Sequence, residues 1–252
     1  MIFKGYIDGL QSVLERIKHE QAQNIELAGG IVAESIARGG IVHTFGTGHS
    51  HIIAEEIFFR AGGIAPINPI LDERLIFLKG ALESTRAERE TGLARKLLEL
   101  EDVRDTDAAI IISNSGRNAA PVEMALEMKE RGVRVIAITN LEQSGASASR
   151  HASGKRLFEL ADVAIDNCVP TGDALVALDG LNSRTGASST VAGAAIAHSI
   201  IIEALSKLIQ KGVNPPVLQS ANVEGTTADT LREVLSRYRD RIRYLDLESE
   251  FE

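Results

Sequence analysis

A single cysteine, Cys168, stands in a chain of 252 residues, so no internal disulfide is available and a reducing cytoplasm is the simplest home. Long basic runs are missing as well. Lys and Arg total 27 against 35 Asp and Glu, a formal net charge of −8. That balance argues against nucleic acid and anionic membrane surfaces as partners. No unbroken apolar segment reaches the ~20 residues that a bilayer demands. The opening residues Met1-Ile2-Phe3-Lys4-Gly5-Tyr6 lack the basic-then-apolar order of a signal peptide. Internal repeats and low-complexity tracts are absent too. What remains is 44% hydrophobic and 25% charged, enough for one large α/β domain or two small ones.

The strongest local pattern is Ala108 to Ile112, an unbroken apolar run that suits a strand buried on both faces of a parallel sheet. It stops at Ser113-Asn114-Ser115-Gly116. Pro121 to Lys129 follows, rich in helix formers, with Val122, Ala125, Leu126 and Met128 near helical spacing. Asn118 is placed to cap that helix, and Pro121 fits its first turn, where a missing N–H leaves no helical partner unmet. A strand, a tight polar loop and a helix N-terminus make an anion site, because free N–H groups and the positive end of the helix dipole meet there. Ser113 and Ser115 add hydroxyls, and Gly116 lets the backbone come close. At about 1.5–3 kcal/mol for each hydrogen bond to a charged group, a handful of them holds a phosphate without a lysine. No Lys follows the glycine, which argues against a nucleotide P-loop. The competing reading is an ordinary strand–helix turn with serine caps.

Upstream, residues 6–38 read as helix with a break near Gly29-Gly30, and Ile7, Leu10, Val13, Leu14 and Ile17 form an apolar stripe. Such a helix packs on its own domain or on a second copy. Gly39-Gly40 ends it. Ile41 to Phe45 is the first strand, Gly46-Thr47-Gly48-His49-Ser50 its loop, and His51 to Arg60 a helix. Ile64 to Ile70, interrupted by Pro66 and Pro69, is a second strand, short or at an edge. Residues 71–103 are a polar, mostly helical excursion carrying Glu83, Glu88 and Glu90. Arg134 to Asn140 and Ala161 to Asp166 are further strands, with a loop or short helix over 143–153 between them. Residues 169–184 form a Gly/Asp-rich loop. Thr185-Gly186-Ala187-Ser188-Ser189-Thr190 leads into a buried helix over 191–211, whose hydroxyl-rich start is a third place for an anion or sugar. Ala228 to Leu245 is a last helix, and the tail Glu248 to Glu252 frays. Strands alternating with helices predict a doubly wound, mainly parallel sheet. Ligands of such sheets bind beyond the carboxyl ends of the strands, where both serine loops lie.

Ser-x-Ser-Gly-x-Asn after a buried strand resembles the phosphosugar loop of the SIS (sugar isomerase) superfamily, which reads Ser-x-Ser-Gly-x-Thr/Asn. The first loop resembles that family's Gly-x-Gly-x-Ser, with Ser50 on the family's serine. Gly46 through Gly63, Asn68-Pro69-Ile70 and the stretch from Thr185 to Gly193 are similar to a bacterial SIS family related to phosphoheptose isomerase and, more distantly, to N-acetylmuramic acid 6-phosphate etherase. The resemblance spans nearly the whole chain. It implies a flavodoxin-like three-layer sandwich, a homodimer or homotetramer assembled through N-terminal helices, and a phosphorylated sugar or amino sugar as ligand. By position it assigns Ser113, Asn114, Ser115 and Asn118 to the phosphate. Gly48, His49 and Ser50 of the first loop, with Ser188, Ser189 and Thr190, complete the expected binding set.

Aldose–ketose isomerisation moves a proton between C1 and C2 through an enediolate, so it needs a base, and an acid to open the ring. Glu55 and Glu56 follow the first loop and point about 100° apart on a helix. Glu56 shares the side of Ile53 and Ile57. Phosphoheptose isomerases bind zinc through a His and a Glu of this helix. Counted from the loop serine, Glu56 stands at that His and Arg60 at that Glu, and Arg60 also stands where the etherases carry a catalytic Glu. His198 matches the family's catalytic or metal-binding His; read without the family, it is a satisfied core residue. His49 and His51 are either donors to a ligand or, with Glu56 or His198, zinc ligands. Glu83, Glu88, Glu90 and Glu224 are spare carboxylates.

The sequence therefore predicts a helical oligomerisation segment over 1–38, an SIS domain over 39–212, and a C-terminal loop and helix over 213–252 packed on it. The expected activity is phosphosugar isomerisation with Glu56 as base, His198 as ring-opening acid and no cofactor. A phosphosugar sensor without turnover and an etherase-type lyase are the alternatives.

Overall fold

The computed structural model describes residues 1–220 and 228–245; Glu224 and the tail from Glu248 lie outside the described residues. The strands are β1 (Val42–Gly46), β2 (Ile67–Pro69), β3 (Ala108–Ile112), β4 (Arg134–Thr139) and β5 (Val163–Asp166). They form one parallel sheet in the order β2-β1-β3-β4-β5. Every residue of β1 and β3 is buried, which is why β3 reads as an unbroken apolar run rather than an alternating one. The short β2, with its proline, pairs only with β1 at the edge.

The helices are α1 (Phe3–Glu20), α2 (Ala22–Ala37), α3 (Ser50–Glu56), α4 (Ala81–Ala87), α5 (Leu93–Leu98), α6 (Ala119–Glu130), α7 (Leu141–Gly145), α8 (Leu157–Leu160), α9 (Ser189–Gln210) and α10 (Ala228–Ser236). They cover both faces of the sheet. Ile110, Ile112, Ile136 and Ile138 pack with buried residues of α2 and α9 on one side. The alternate residues Ala109, Ile111, Val135 and Ala137 pack with α5 and α6 on the other. The result is the expected doubly wound three-layer sandwich.

Several boundaries differ from the sequence expectation. The N-terminal break falls at Gln21, not at Gly29-Gly30, which lie inside α2. Gly29 serves helix contact instead: a Cβ there would sit 2.5 Å from the Cβ of Glu203 on α9. α2 thereby belongs to the core of the sheet domain. α3 stops at Glu56 rather than Arg60, and Phe59 beyond it has a left-handed φ of 42°. In the 71–103 excursion the helical parts are a 3-10 turn at Phe77–Lys79, α4 and α5. The 169–184 loop contains β6 (Ala174–Val176), which pairs antiparallel with β7 (Thr185–Ala187). α9 is long and apolar enough to cross a membrane, yet Ala192, Ile196, Ile200 and Ala204 bury it against the domain as a core helix. The last helix ends at Ser236, short of Leu245.

The C-terminal segment closes the amino end of the sheet. Leu218, Leu235, Ile242 and Leu245 pack on Ile41 and Ala65. A buried polar network lies beside them. His43, 1% exposed, places Nε2 3.1 Å from Asp107 Oδ2, and Arg241 Nη2 donates to the same oxygen at 2.8 Å. Main-chain N–H groups of Ile41 and Arg104 also donate to this carboxylate. Burial alone would raise the Asp107 pKa, but the hydrogen bonds from His43 and Arg241 outweigh it and hold the carboxyl at about 2. Asn68 Nδ2 reaches His43 Nδ1 at 3.0 Å and Glu101 Oε2 at 2.8 Å. Burial pushes the Glu101 carboxyl up.

Candidate functional site

In this strand order the winding reverses between β1 and β3, which opens a crevice beyond their carboxyl ends. The two serine loops form its sides. After β1 the turn is tight because Gly46 has no room for a side chain: a Cβ would lie 2.4 Å from the Ser50 carbonyl oxygen. The 71–103 excursion is tied to this loop. Gly48 N–H donates to the Leu75 carbonyl at 2.8 Å, and Thr47 Oγ1 donates to Glu88 Oε2 at 3.1 Å. The rings of His49 and Phe77 pack with centroids 4.7 Å apart. His51 Nδ1 contacts the Gly48 carbonyl.

After β3, Ser113 N–H prolongs the ladder to the Ile138 carbonyl at 3.0 Å. Ser113 Oγ accepts the Gly116 N–H at 3.1 Å, with Gly116 at a φ of 57° that favours glycine. The Asn114 carbonyl accepts from Asn140 N–H, and its Oδ1 accepts from Asn167 Nδ2 at 2.8 Å. Among the described residues, no acceptor pairs with the main-chain N–H groups of Asn114, Ser115, Arg117, Asn118 or Ala119. These groups lead into the N-terminus of α6 and make a nest of open donors. Asn118 has the extended backbone of an N-cap, but its side chain does not cap as expected. Its Oδ1 accepts instead from Arg150 Nη1 at 2.8 Å.

The start of α9 departs from expectation. Asp173 already occupies its first two N–H groups, those of Ser188 and Ser189. Asp173 Oδ1 accepts the N–H groups of Ser188 and Ser189 at 2.9 and 2.6 Å, and its carboxylate also accepts both hydroxyls. Ser188 is fully buried beneath it. The hydroxyls of Ser50, Ser115 and Thr190 have no protein partner among the described residues.

His49, Ser50, Asn114, Asn167, Ser189 and Thr190 come together around a crevice of ≈ 10 Å³. Gly48, Ser113, Ser115, Asn118 and Ser188 do not line it. Asn167, 3% exposed, was not anticipated; its position at the carboxyl end of a buried strand was the available signal. Glu88, which bonds Thr47 of the first loop, was anticipated only as one of several spare carboxylates. Glu56 and His198 meet each other, Oε1 to Nε2 at 3.4 Å, but neither lines this crevice. Their side chains are each 36% exposed, so His198 is not a closed core residue. Arg60 is in direct contact with Glu56. That guanidinium makes the trio unsuited to a cation, and among the described residues no group of three or more His, Cys, Asp or Glu is arranged to hold a metal. The set does not fit zinc.

A second crevice, of ≈ 760 Å³, lies between α2 and the end of α9, near the amino ends of β4 and β5. Most of its charged groups pair among themselves or with neighbours, Arg134 with Glu34, Lys207 with Glu26, and Asp162 with Lys129. It brings together no nucleophile or acid–base pair.

A flavodoxin-like sheet with a nest of open donors at its switch point defines a class of small-molecule, anion-binding α/β domains. Comparison with known proteins narrows that class. A family model described as SIS domain matches residues 5–140. The chain is 42% identical over 247 residues to a UPF0309 protein of Listeria innocua, covering 98% of this chain and 99% of that one. It is 40% identical over 240 residues to a UPF0309 protein of Geobacillus kaustophilus, covering 95% of each. A phosphoheptose isomerase from Francisella tularensis shares the fold, with a TM-score of 0.51 at 17% identity over 81% of this chain and 96% of that one. The chain belongs to the SIS domain family.

Proposed function

We propose that the protein binds a phosphorylated sugar or amino sugar and isomerises it between aldose and ketose. The open N–H groups of Asn114, Ser115, Arg117, Asn118 and Ala119 carry this reading, since they offer a phosphate several charge-assisted hydrogen bonds at one point. The unpartnered hydroxyls of Ser50, Ser115 and Thr190 add donors beside them. A crevice of ≈ 10 Å³ has room for about one water. The sugar body therefore lies across its mouth rather than inside it. In the proposed reaction, His198 protonates the ring oxygen as the anomeric hydroxyl gives its proton to water and the ring opens; Glu56 then removes the C2 proton and returns it to C1, while the O2 proton passes through solvent to O1. The 3.4 Å contact of Glu56 with His198 supports the pairing of a base with an acid.

Exposed Phe3, Ile7 and Leu14 on α1 support assembly as a homodimer or homotetramer, which light scattering tests. A cytoplasmic setting is the one its single cysteine supports.

A second reading, a phosphosugar sensor without turnover, is favoured by the contact of Arg60 with Glu56 and by the distance of both from the crevice wall. The experiment is a thermal-shift panel of sugar phosphates followed by proton NMR of each hit in D2O. A ligand that binds only the folded state raises the melting temperature. Deuterium entering C2 with wild type, and not with Glu56→Gln that still binds, supports the isomerase. Binding without exchange in wild type selects the sensor. Cleavage of an ether substituent selects the lyase. A flat response to every phosphate overturns the phosphate reading.

A further inference from the structure

We propose, building on that phosphate reading, that the ligand carries a second anionic group, a carboxylate or a further phosphate, and that Arg89, Arg117 and Arg150 receive it at the outer end of the serine loop. Several links bring the three arginines to one place. Arg117 belongs to the loop. Arg150 N–H donates to the Arg117 carbonyl at 2.8 Å, and Arg150 Nη1 donates to Asn118 Oδ1 at 2.8 Å. Arg89 follows Glu88, whose carbonyl accepts the Ala120 N–H at 3.0 Å in the first turn of α6.

The cluster is short of negative charge. Arg16, Arg74, Arg95, Arg131 and Arg156 elsewhere in the fold sit in ion pairs. Arg89, Arg117 and Arg150 have no ion-pair partner among the described residues. Arg117 Nε is buried without a hydrogen-bond acceptor. Burial, then the like charges of Arg117 and Arg89, push the Arg150 pKa down. Glu88 is the neighbouring carboxylate, and it already accepts from Thr47. Gathering cations without counter-charge costs free energy, and in a chain of net charge −8 general attraction to anions does not explain it. A ligand anion offsets that cost.

A single phosphate does not need both sets of donors. The N–H nest and the Ser115 hydroxyl supply enough neutral donors for its oxygens, and Asn114 at one end of the loop faces the crevice. Arg150 sits at the other end, on Asn118, with Arg117 and Arg89 as its neighbouring like charges. A ligand with two anionic groups engages both ends. A phosphorylated sugar acid and a sugar bisphosphate share that chemistry.

The test is calorimetric titration at low salt with inorganic phosphate, glucose 6-phosphate, 6-phosphogluconate and fructose 1,6-bisphosphate. Wild type, Arg150→Gln, Arg150→Lys and Arg89→Gln are compared, each first checked for an unchanged melting temperature. Wild type is expected to prefer the doubly anionic probes about tenfold or more. Arg150→Gln and Arg89→Gln should narrow that preference to about twofold while glucose 6-phosphate binds as before, and Arg150→Lys should keep part of it. A preference shown for the carboxylate probe alone, or for the bisphosphate alone, identifies which second group the arginines take. Equal affinities in wild type overturn the proposal. So does an equal loss for all sugar probes in Arg150→Gln, because the arginines would then hold the first phosphate. Failure of every probe, inorganic phosphate included, would instead remove the phosphate reading on which it builds.

Discussion

The two ends of β1 and β3 carry polar residues of similar kinds and use them in opposite ways. At the amino end His43, Asp107, Asn68, Glu101 and Arg241 turn their polar atoms on one another, leaving only Asn68 Oδ1 and Arg241 Nη1 without partners. At the carboxyl end the loops after the same two strands leave main-chain N–H groups and hydroxyls open. Both ends are partly buried, so burial of polar residues does not mark a site. A run of adjacent main-chain donors without partners does, because several such groups aimed at one point can be satisfied together by one outside acceptor. The amino end thus serves as framework, and the proposed ligand site is at the carboxyl end.

If that division holds, substitutions at the two ends separate stability from binding. Asp107→Ala strips the partner from His43 and Arg241 and should cost about 3–5 kcal/mol in urea unfolding; a loss under about 1 kcal/mol would remove the framework assignment. Ser113→Ala with Ser115→Ala should weaken sugar-phosphate binding by about 2–4 kcal/mol, so that ligand no longer raises the melting temperature. The protein itself should lose only about 1 kcal/mol, from the Gly116 N–H that Ser113 Oγ accepts. Unchanged affinity in that double variant would sink the loop assignment.

Acid unfolding probes the framework end again. The Asp107 pKa falls from 3.8 to about 2 on folding, so its contribution is fully present above 3.8 and is lost as the pH drops toward 2. That limb amounts to roughly 2 kcal/mol and should vanish in Asp107→Asn, read as stability against pH. The smallest effect is expected for Gly116→Ala. Its φ of 57° disfavours a side chain, and a Cβ would lie 2.8 Å from Ser144 Oγ. A cost of about 1–2 kcal/mol in thermal unfolding, together with weaker phosphate binding, fits a loop held in one shape for its ligand.

The parallel core was legible because β3 and β4 are buried on both faces almost throughout, so their apolar runs appear nearly without interruption. The serine loops were legible because each strand stops abruptly at small polar residues. The break at Gln21 was hidden because glycine usually marks a bend, whereas Gly29 is there to let two helices touch. The role of Asp173 was hidden by its place in a Gly/Asp-rich loop; only the fold brings it onto Ser188 and Ser189. Glu88 and Asn167 reach the loops from separate elements, and neither has a local pattern. The Glu56–His198 contact was anticipated as a pair of roles, while its separation from the crevice follows from where α3 ends and how α9 lies across it. The His43–Asp107–Arg241 network joins residues far apart in the chain, and no periodicity announces it.

That network also bears on how the chain is made. Arg241 closes on Asp107 across 134 positions. At common translation rates Asp107 is made on the order of ten seconds before its partner arginine. Until then the carboxylate has no Arg241 to meet, and the amino edge of the sheet lacks the apolar cover of Leu235 and Ile242. The nascent sheet is consequently completed by a segment that emerges well after all of its strands, a late and long-range closure of the kind that slows folding.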